Sequence, residues 1–167
     1  MKKIIVLGGA GVMGAEAVRQ LIKRTDAEIV IADSSAKSLK RIAAELGNRV
    51  SVVEIDVDDH AALVKLLKGT DVAVSTIGPF YKFSNRLVKA CIDAGVHFLD
   101  IDDDFDSTRE SLELDDEAKK AGITAIKGCG ASPGITNIIA KHAADKLDKV
   151  DDIRIYWAQS GIDPTGP

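Results

Sequence analysis

The stretch Lys3-Ile4-Ile5-Val6-Leu7-Gly8-Gly9-Ala10-Gly11-Val12-Met13-Gly14 decides how the rest of the chain is read. Ile4 to Leu7 form a short unbroken apolar run, the pattern of a strand covered on both faces. It runs directly into Gly9-Ala10-Gly11-Val12-Met13-Gly14, which is G-x-G-x-x-G. Met13, Ala17, Val18, Leu21 and Ile22 then lay one apolar stripe along a helix. A glycine pattern alone says little, but strand, glycines and helix in that order build a phosphate-binding turn. Gly9 is expected to permit the tight turn, Gly11 to leave the backbone bare before a pyrophosphate, and Gly14 to let helix and strand pack closely. Ala10, Val12 and Met13 complete the loop, and the helix start offers unpaired N–H groups and positive dipole to the phosphates. Asp33 stands 19 residues after Gly14, at the end of the second apolar run Glu28 to Ala32. Its carboxylate, with Ser34 beside it, is placed to accept hydrogen bonds from an adenosine ribose. A 2′-phosphate would meet like charge there and no Arg follows directly, so NAD is expected ahead of NADP.

Short apolar runs alternate with amphipathic segments along the rest of the chain. The candidate strands are Lys3 to Leu7, Glu28 to Ala32, Val50 to Ile55, Val72 to Ser75, His97 to Ile101, Thr124 to Lys127 and Asp152 to Trp157. Helices are expected between them, among them Asp106 to Lys120 and a last one from Gly134 to Leu147. The pattern is that of an α/β protein, a Rossmann-type doubly wound, mostly parallel sheet of about six or seven strands. Ligands of such sheets lie beyond the carboxyl ends of the strands. Asp56 and Val57 end the third strand, where they suit an adenine edge and face. Thr76-Ile77-Gly78 end the fourth, with Pro79 stiffening the turn.

Three segments carry a family likeness. Val74-Ser75-Thr76-Ile77-Gly78-Pro79-Phe80, Ala94 to Asp102, and Gly128-Cys129-Gly130-Ala131-Ser132-Pro133-Gly134-Ile135-Thr136-Asn137 together resemble the saccharopine dehydrogenase family. The resemblance implies an oxidoreductase whose first domain binds NAD or NADP and whose second supplies the substrate contacts and the dimer surface. It implies an amine or amino-acid-like small-molecule substrate. By position it assigns the pyrophosphate to Gly9 through Gly14, the ribose to Asp33 and Ser34, the adenine to Asp56 and Val57. Thr76, Ile77 and Gly78 would line the nicotinamide side, with Ile101 and Asp102 near ribose and substrate. On this reading residues 1–157 are the NAD(P)-binding domain and 158–167 begin a linker to a substrate domain. The alternative is a non-catalytic NAD-sensing regulatory module, which has no need of the Gly78-Pro79-Phe80 turn or the Gly128 to Gly134 loop.

Other features narrow the function. Twenty-two Lys and Arg against 26 Asp and Glu give a formal charge of −4, so no broad positive field exists to attract nucleic acid. No segment approaches the roughly 18 apolar residues of a membrane span. Cys91 and Cys129 lack any metal-ligand spacing, which fits reduced thiols and a cytoplasmic setting. Asp100, Asp102, Asp103, Asp104 and Asp106 crowd together but fail the EF-hand template, because Phe105 sits where Gly is required, so no metal is expected. Asp102 is the one catalytic candidate, as a polar substrate contact, weighed against a residue of a solvated loop. His97 is expected to be structural, and Tyr81 and Tyr156 are in no Y-x-x-x-K.

Overall fold

The computed structural model describes residues 1–156. Six strands, β1 (Lys3–Leu7), β2 (Glu28–Asp33), β3 (Val50–Glu54), β4 (Val72–Ser75), β5 (His97–Asp100) and β6 (Ala125–Ile126), alternate with helices. These are α1 (Val12–Arg24), α2 (Ala36–Leu46), α3 (His60–Leu67), α4 (Phe80–Ala94), α5 (Phe105–Leu112), α6 (Asp115–Ala121) and α7 (Ile135–Ala144), with a 3₁₀ turn at Gly47–Arg49. The sheet runs β3-β2-β1-β4-β5-β6 with every pairing parallel. The order reverses between β1 and β4, the place where a doubly wound sheet opens a crevice at its carboxyl edge. The fold class expected from the sequence is therefore the one formed.

Both faces of the central strands are buried, which explains their unbroken apolar runs. Ile5 and Leu7 of β1 face one core with Val30, Leu63, Leu67, Leu87, Cys91 and Phe98, covered by α3, α4 and α6. Val6 faces the other, with Ile29, Ile31, Val18, Leu39 and Ile42, covered by α1 and α2. Two cores on opposite sides of one strand hold the β1 end rigid, and the glycine loop grows from that end.

The structure differs from the expectation in several elements. Residues 152–156 belong to no strand, so a seventh is absent among the described residues, and Trp157 lies outside them. The expected helix from Asp106 to Lys120 is two helices. Its first part tightens where Glu113 N–H donates to the Glu110 carbonyl and Leu114 N–H to that of Ser111. The acidic run Asp115, Asp116 and Glu117 then occupies the first turn of α6, with Lys119 and Lys120 in its last, the arrangement a helix dipole favours. The last helix is shorter than Gly134 to Leu147 and buries none of its residues, leaving Ile135, Ile138 and Ile139 exposed. No described helix is long and apolar enough to cross a membrane.

Candidate functional site

The loop from β1 to α1 is shaped by close contact. Gly8 takes φ +76°, the left-handed region that β-carbon crowding discourages, so it makes the turn that was expected of Gly9. Gly9 is instead pressed against the Val6 carbonyl, where an added β-carbon would lie 2.9 Å away. At Gly14 a β-carbon would fall 2.2 Å from the Gly8 carbonyl oxygen and 2.8 Å from Thr76 Oγ1. Helix and turn therefore touch backbone to backbone. Gly11 is exposed, and an added β-carbon there meets only the Gly8 carbonyl, at 3.2 Å. It is the N-cap of α1 and has no side chain to bond the first amides, while the first turn holds no acidic residue. Val12 and Met13 point outward. The result is a bare cradle of N–H groups with the positive end of a 13-residue helix behind it, suited to a pyrophosphate.

Asp33 ends β2 against this loop. Its Oδ2 accepts from the Ala10 N–H at 3.2 Å and its Oδ1 from the Ser35 N–H at 3.0 Å. The side chain is half-buried, so each oxygen keeps capacity for a further donor. Ser34 is exposed beside it. The Ala10 carbonyl, in turn, accepts from Arg41 Nη2 at 3.1 Å. A carboxylate and a guanidinium thus hold the two ends of one loop residue. Nothing beside Asp33 in sequence marks Arg41, because only α2, by turning back toward the loop, brings it to Ala10.

Thr76 closes the loop from the other side of the switch point, its hydroxyl set 3.3 Å from the Leu7 carbonyl and 3.2 Å from that of Gly8. Ile77 packs on Gly8, Gly78 is exposed, and the Gly78-Pro79 bond is cis. Asp56 is exposed and turned to its own loop, accepting from the Asp58 N–H at 2.9 Å, while half-buried Val57 packs on the core. The third strand's end is thus farther in sequence from the glycines but on the same sheet edge.

The ends of β5 and β6 hold a different structure. Asp102, read from sequence as a substrate contact or a solvated loop residue, is fully buried. Lys127 Nζ donates to Asp102 Oδ2 at 2.6 Å and to Asp100 Oδ2 at 2.7 Å, and also to Ser84 Oγ. Asp100 accepts as well from Ser84 Oγ, from the Gly128 N–H and from the Asp102 N–H. Asp102 accepts from Ser107 Oγ and from the Asp104 N–H. Burial pushes the Asp102 carboxyl upward, but the hydrogen bonds from Lys127, Ser107 and Asp104 outweigh it and hold the group below its usual range. A saturated carboxylate of this kind does not reach a substrate directly. Ile101 is half-buried beside the Gly130 loop. A signal for Ser84 was present, since it lies in phase with buried Leu87, Val88 and Cys91. Nothing local marked Lys127.

Remaining candidates resolve simply. His97 Nδ1 accepts from the Thr124 N–H, a structural role. Cys91 is buried, which pushes its thiol up to about 12, and Cys129 is raised by burial and by Asp100, so neither is an activated thiolate. The Asp102, Asp103 and Asp104 carboxylates come within 4.8 Å of one another, but Asp102 is already bonded to Lys127.

Residues 4–126 match the saccharopine dehydrogenase NADP binding domain. The chain belongs to that family. The match runs from Ile4 of β1 to Ile126 of β6 and so contains the glycine loop, Asp33, Arg41 and the ends of β2 to β5, while Lys127 and Gly128 follow it directly. A saccharopine dehydrogenase of Saccharomyces cerevisiae, the NADP⁺, L-glutamate-forming one, is 28% identical over 149 residues, 89% of this chain and 32% of the relative. A carboxyaminopropylagmatine dehydrogenase of Synechocystis is 27% identical over 164 residues, 90% of this chain and 41% of the relative. The solved apo structure of the histidine-tagged, L-Glu-forming saccharopine dehydrogenase from Saccharomyces cerevisiae aligns with TM-score 0.77 at 27% identity, over 87% of this chain and 31% of that one. The chain therefore spans about a third to two fifths of these relatives' length. The resemblance read from the three loop segments holds, while the expected preference for NAD finds no support in a family of NADP-binding domains.

Proposed function

We propose that this chain is the cofactor-binding domain of an NADP-dependent oxidoreductase acting on an amine or amino-acid-like substrate, with the substrate held by a second domain. The observation that carries the reading is the uncapped α1 N-terminus behind Gly8, Gly9, Gly11 and Gly14, placed at the β1/β4 switch point. The substrate class rests on the amino compounds in the relatives' names.

In this assignment the loop Gly9 through Gly14 holds the pyrophosphate, chiefly with the unpaired N–H groups at the start of α1 because the Ala10 N–H is given to Asp33 and the Gly11 N–H to the Gly8 carbonyl, and Asp33 with Ser34 takes the adenosine ribose. Asp56 and Val57 border the adenine, and Thr76, Ile77, Gly78 and Ile101 line the nicotinamide side. Arg41 answers the objection that Asp33 raises against a 2′-phosphate. Its guanidinium reaches the same Ala10 that Asp33 holds, is exposed, and forms no ion pair within 4.0 Å among the described residues, so its remaining donors are open to a phosphate. Bound NADP⁺ supplies a hydride acceptor, and NADPH a donor. The open sheet edge positions such a cofactor but leaves one side uncovered, and excluding water there falls to the second domain, which also provides the dimer surface. No observation favours the regulatory-module alternative.

Isothermal titration of the chain with NADP⁺ and NAD⁺ tests the assignment. Saturable binding with NADP⁺ the tighter ligand is expected. Failure to bind either overturns the cofactor reading, and tighter binding of NAD⁺ overturns the role of Arg41.

A further inference from the structure

The Asp100–Lys127–Asp102 cluster has a charge that its hydrogen bonds do not cancel. Two carboxylates, 1% and 0% exposed, meet one ammonium. All three Nζ protons have acceptors, in Asp100, Asp102 and Ser84. Five other donors, the hydroxyls of Ser84 and Ser107 and the amides of Gly128, Asp102 and Asp104, point at the carboxylate oxygens. Such a donor set matches ionised carboxylates, so the cluster is a closed unit of net charge −1. The three cations of α4 do not neutralise it, because Arg86 is paired with Asp58, which Lys82 also approaches at 4.0 Å, and Lys89 with Glu117. Asp103 and Asp104 add negative charge nearby rather than removing it.

The position of this charge matters. Register pairs Ser75 with Asp100, so Thr76 and Ile101 leave the sheet side by side, on the β4 side of the switch point. That half of the carboxyl edge is where a dinucleotide's nicotinamide lies. The ring carries a positive charge when oxidised and none when reduced. We infer that the buried Asp100–Lys127–Asp102 cluster biases the site toward the oxidised cofactor, acting through its net charge and without touching the ring. The inference rests on the cofactor reading above. Asp100 and Asp102 are positioning residues with an electrostatic reach, and burial keeps that reach from being screened by salt as a surface charge would be.

The test is the ratio of dissociation constants for NADPH and NADP⁺, measured by titration on the whole chain. Asp102→Asn removes one charge while keeping the shape, leaving Lys127 paired with Asp100. It is expected to weaken NADP⁺ relative to NADPH by about three- to tenfold. Asp100→Asn, whose side chain is bonded to different loops, is the second variant and should shift the ratio the same way, so misfolding of one leaves the other decisive. Ser107→Ala breaks a hydrogen bond to Asp102 without changing charge, and should lower the melting temperature but leave the ratio within about twofold. A ratio unmoved by either Asn variant, or moved as much by Ser107→Ala, overturns the inference and reduces the cluster to a loop anchor. Loss of binding to both oxidation states in the wild-type chain would instead overturn the cofactor reading and this with it.

Discussion

The two halves of the carboxyl edge achieve order by opposite means. At β1 and β2 the loop is bare backbone: Gly8, Gly9, Gly11 and Gly14 remove side chains so that chain segments touch, and the amides of α1 face outward. At β5 and β6 the loops are tied by side chains, with Asp100, Asp102, Ser84 and Ser107 buried and Lys127 largely covered. An exposed row of donors is useful to a ligand because nothing inside the protein satisfies it. A sealed ionic cluster is useless as a contact but strong as a brace, since its charges have no alternative partners. The difference shows why polar groups at a sheet edge do not all belong to one binding surface.

Breaking the first half should have the largest effect on binding, with a loss of stability beside it. Gly14→Val would drive a side chain into the Gly8 carbonyl and Thr76. It is expected to cost about 3 kcal/mol of unfolding free energy and to weaken dinucleotide binding by more than about a hundredfold, read by urea unfolding and titration. An unchanged affinity would mean that the loop is not the pyrophosphate site.

Breaking the second half should cost stability and spare more of the binding. Lys127→Met leaves two buried carboxylates facing each other, and about 3–5 kcal/mol should be lost at neutral pH. The pH dependence identifies the cause. In the wild type the Asp102 pKa is lowered on folding, so its contribution is present above the unfolded value and disappears as pH falls through the folded one. Without Lys127 the buried carboxyls are pushed upward instead, so the variant's deficit should shrink as pH falls toward 4, followed by denaturant titration at several pH values. A deficit that is flat with pH would point to lost packing rather than charge.

Arg41→Ala sharpens the comparison within the first half. About a tenfold loss for NADP⁺ is expected with NAD⁺ changed less than about twofold, measured by calorimetry. Equal losses would make Arg41 a loop brace through Ala10. The smallest effect belongs to Thr76→Val, which removes the hydroxyl joining the β4 end to the Leu7 and Gly8 carbonyls. About 1 kcal/mol of stability should go, read by urea unfolding.

The legible parts of the molecule were those encoded by neighbours in sequence. Lys3 to Gly14 marks strand, turn and helix because each requirement, an apolar run, absent side chains and a 3.6-residue period, is local. The same reasoning put the turn at Gly9 when the positive φ falls on Gly8, since both candidates are adjacent glycines and only the path of the chain separates them. The helix expected from Asp106 to Lys120 failed for a related reason: its charge pattern fits one helix or two, and the tightened turn at Glu113 and Leu114 decides. Asp102 was visible as an unusual residue but not as a buried one.

What the amino-acid order determined alone is the alternation that makes a parallel sheet and the glycine-rich turn at its first strand, because backbone sterics and hydrophobic periodicity act over a few residues. Tertiary structure decided which distant groups meet. Lys127 is 25 residues from Asp102 and 43 from Ser84, and Arg41 is 31 from Ala10. Those meetings set the charge and the donors of the site, and they exist only once β5 and α2 have been carried to the carboxyl edge by burial of their other faces and β6 has paired with β5.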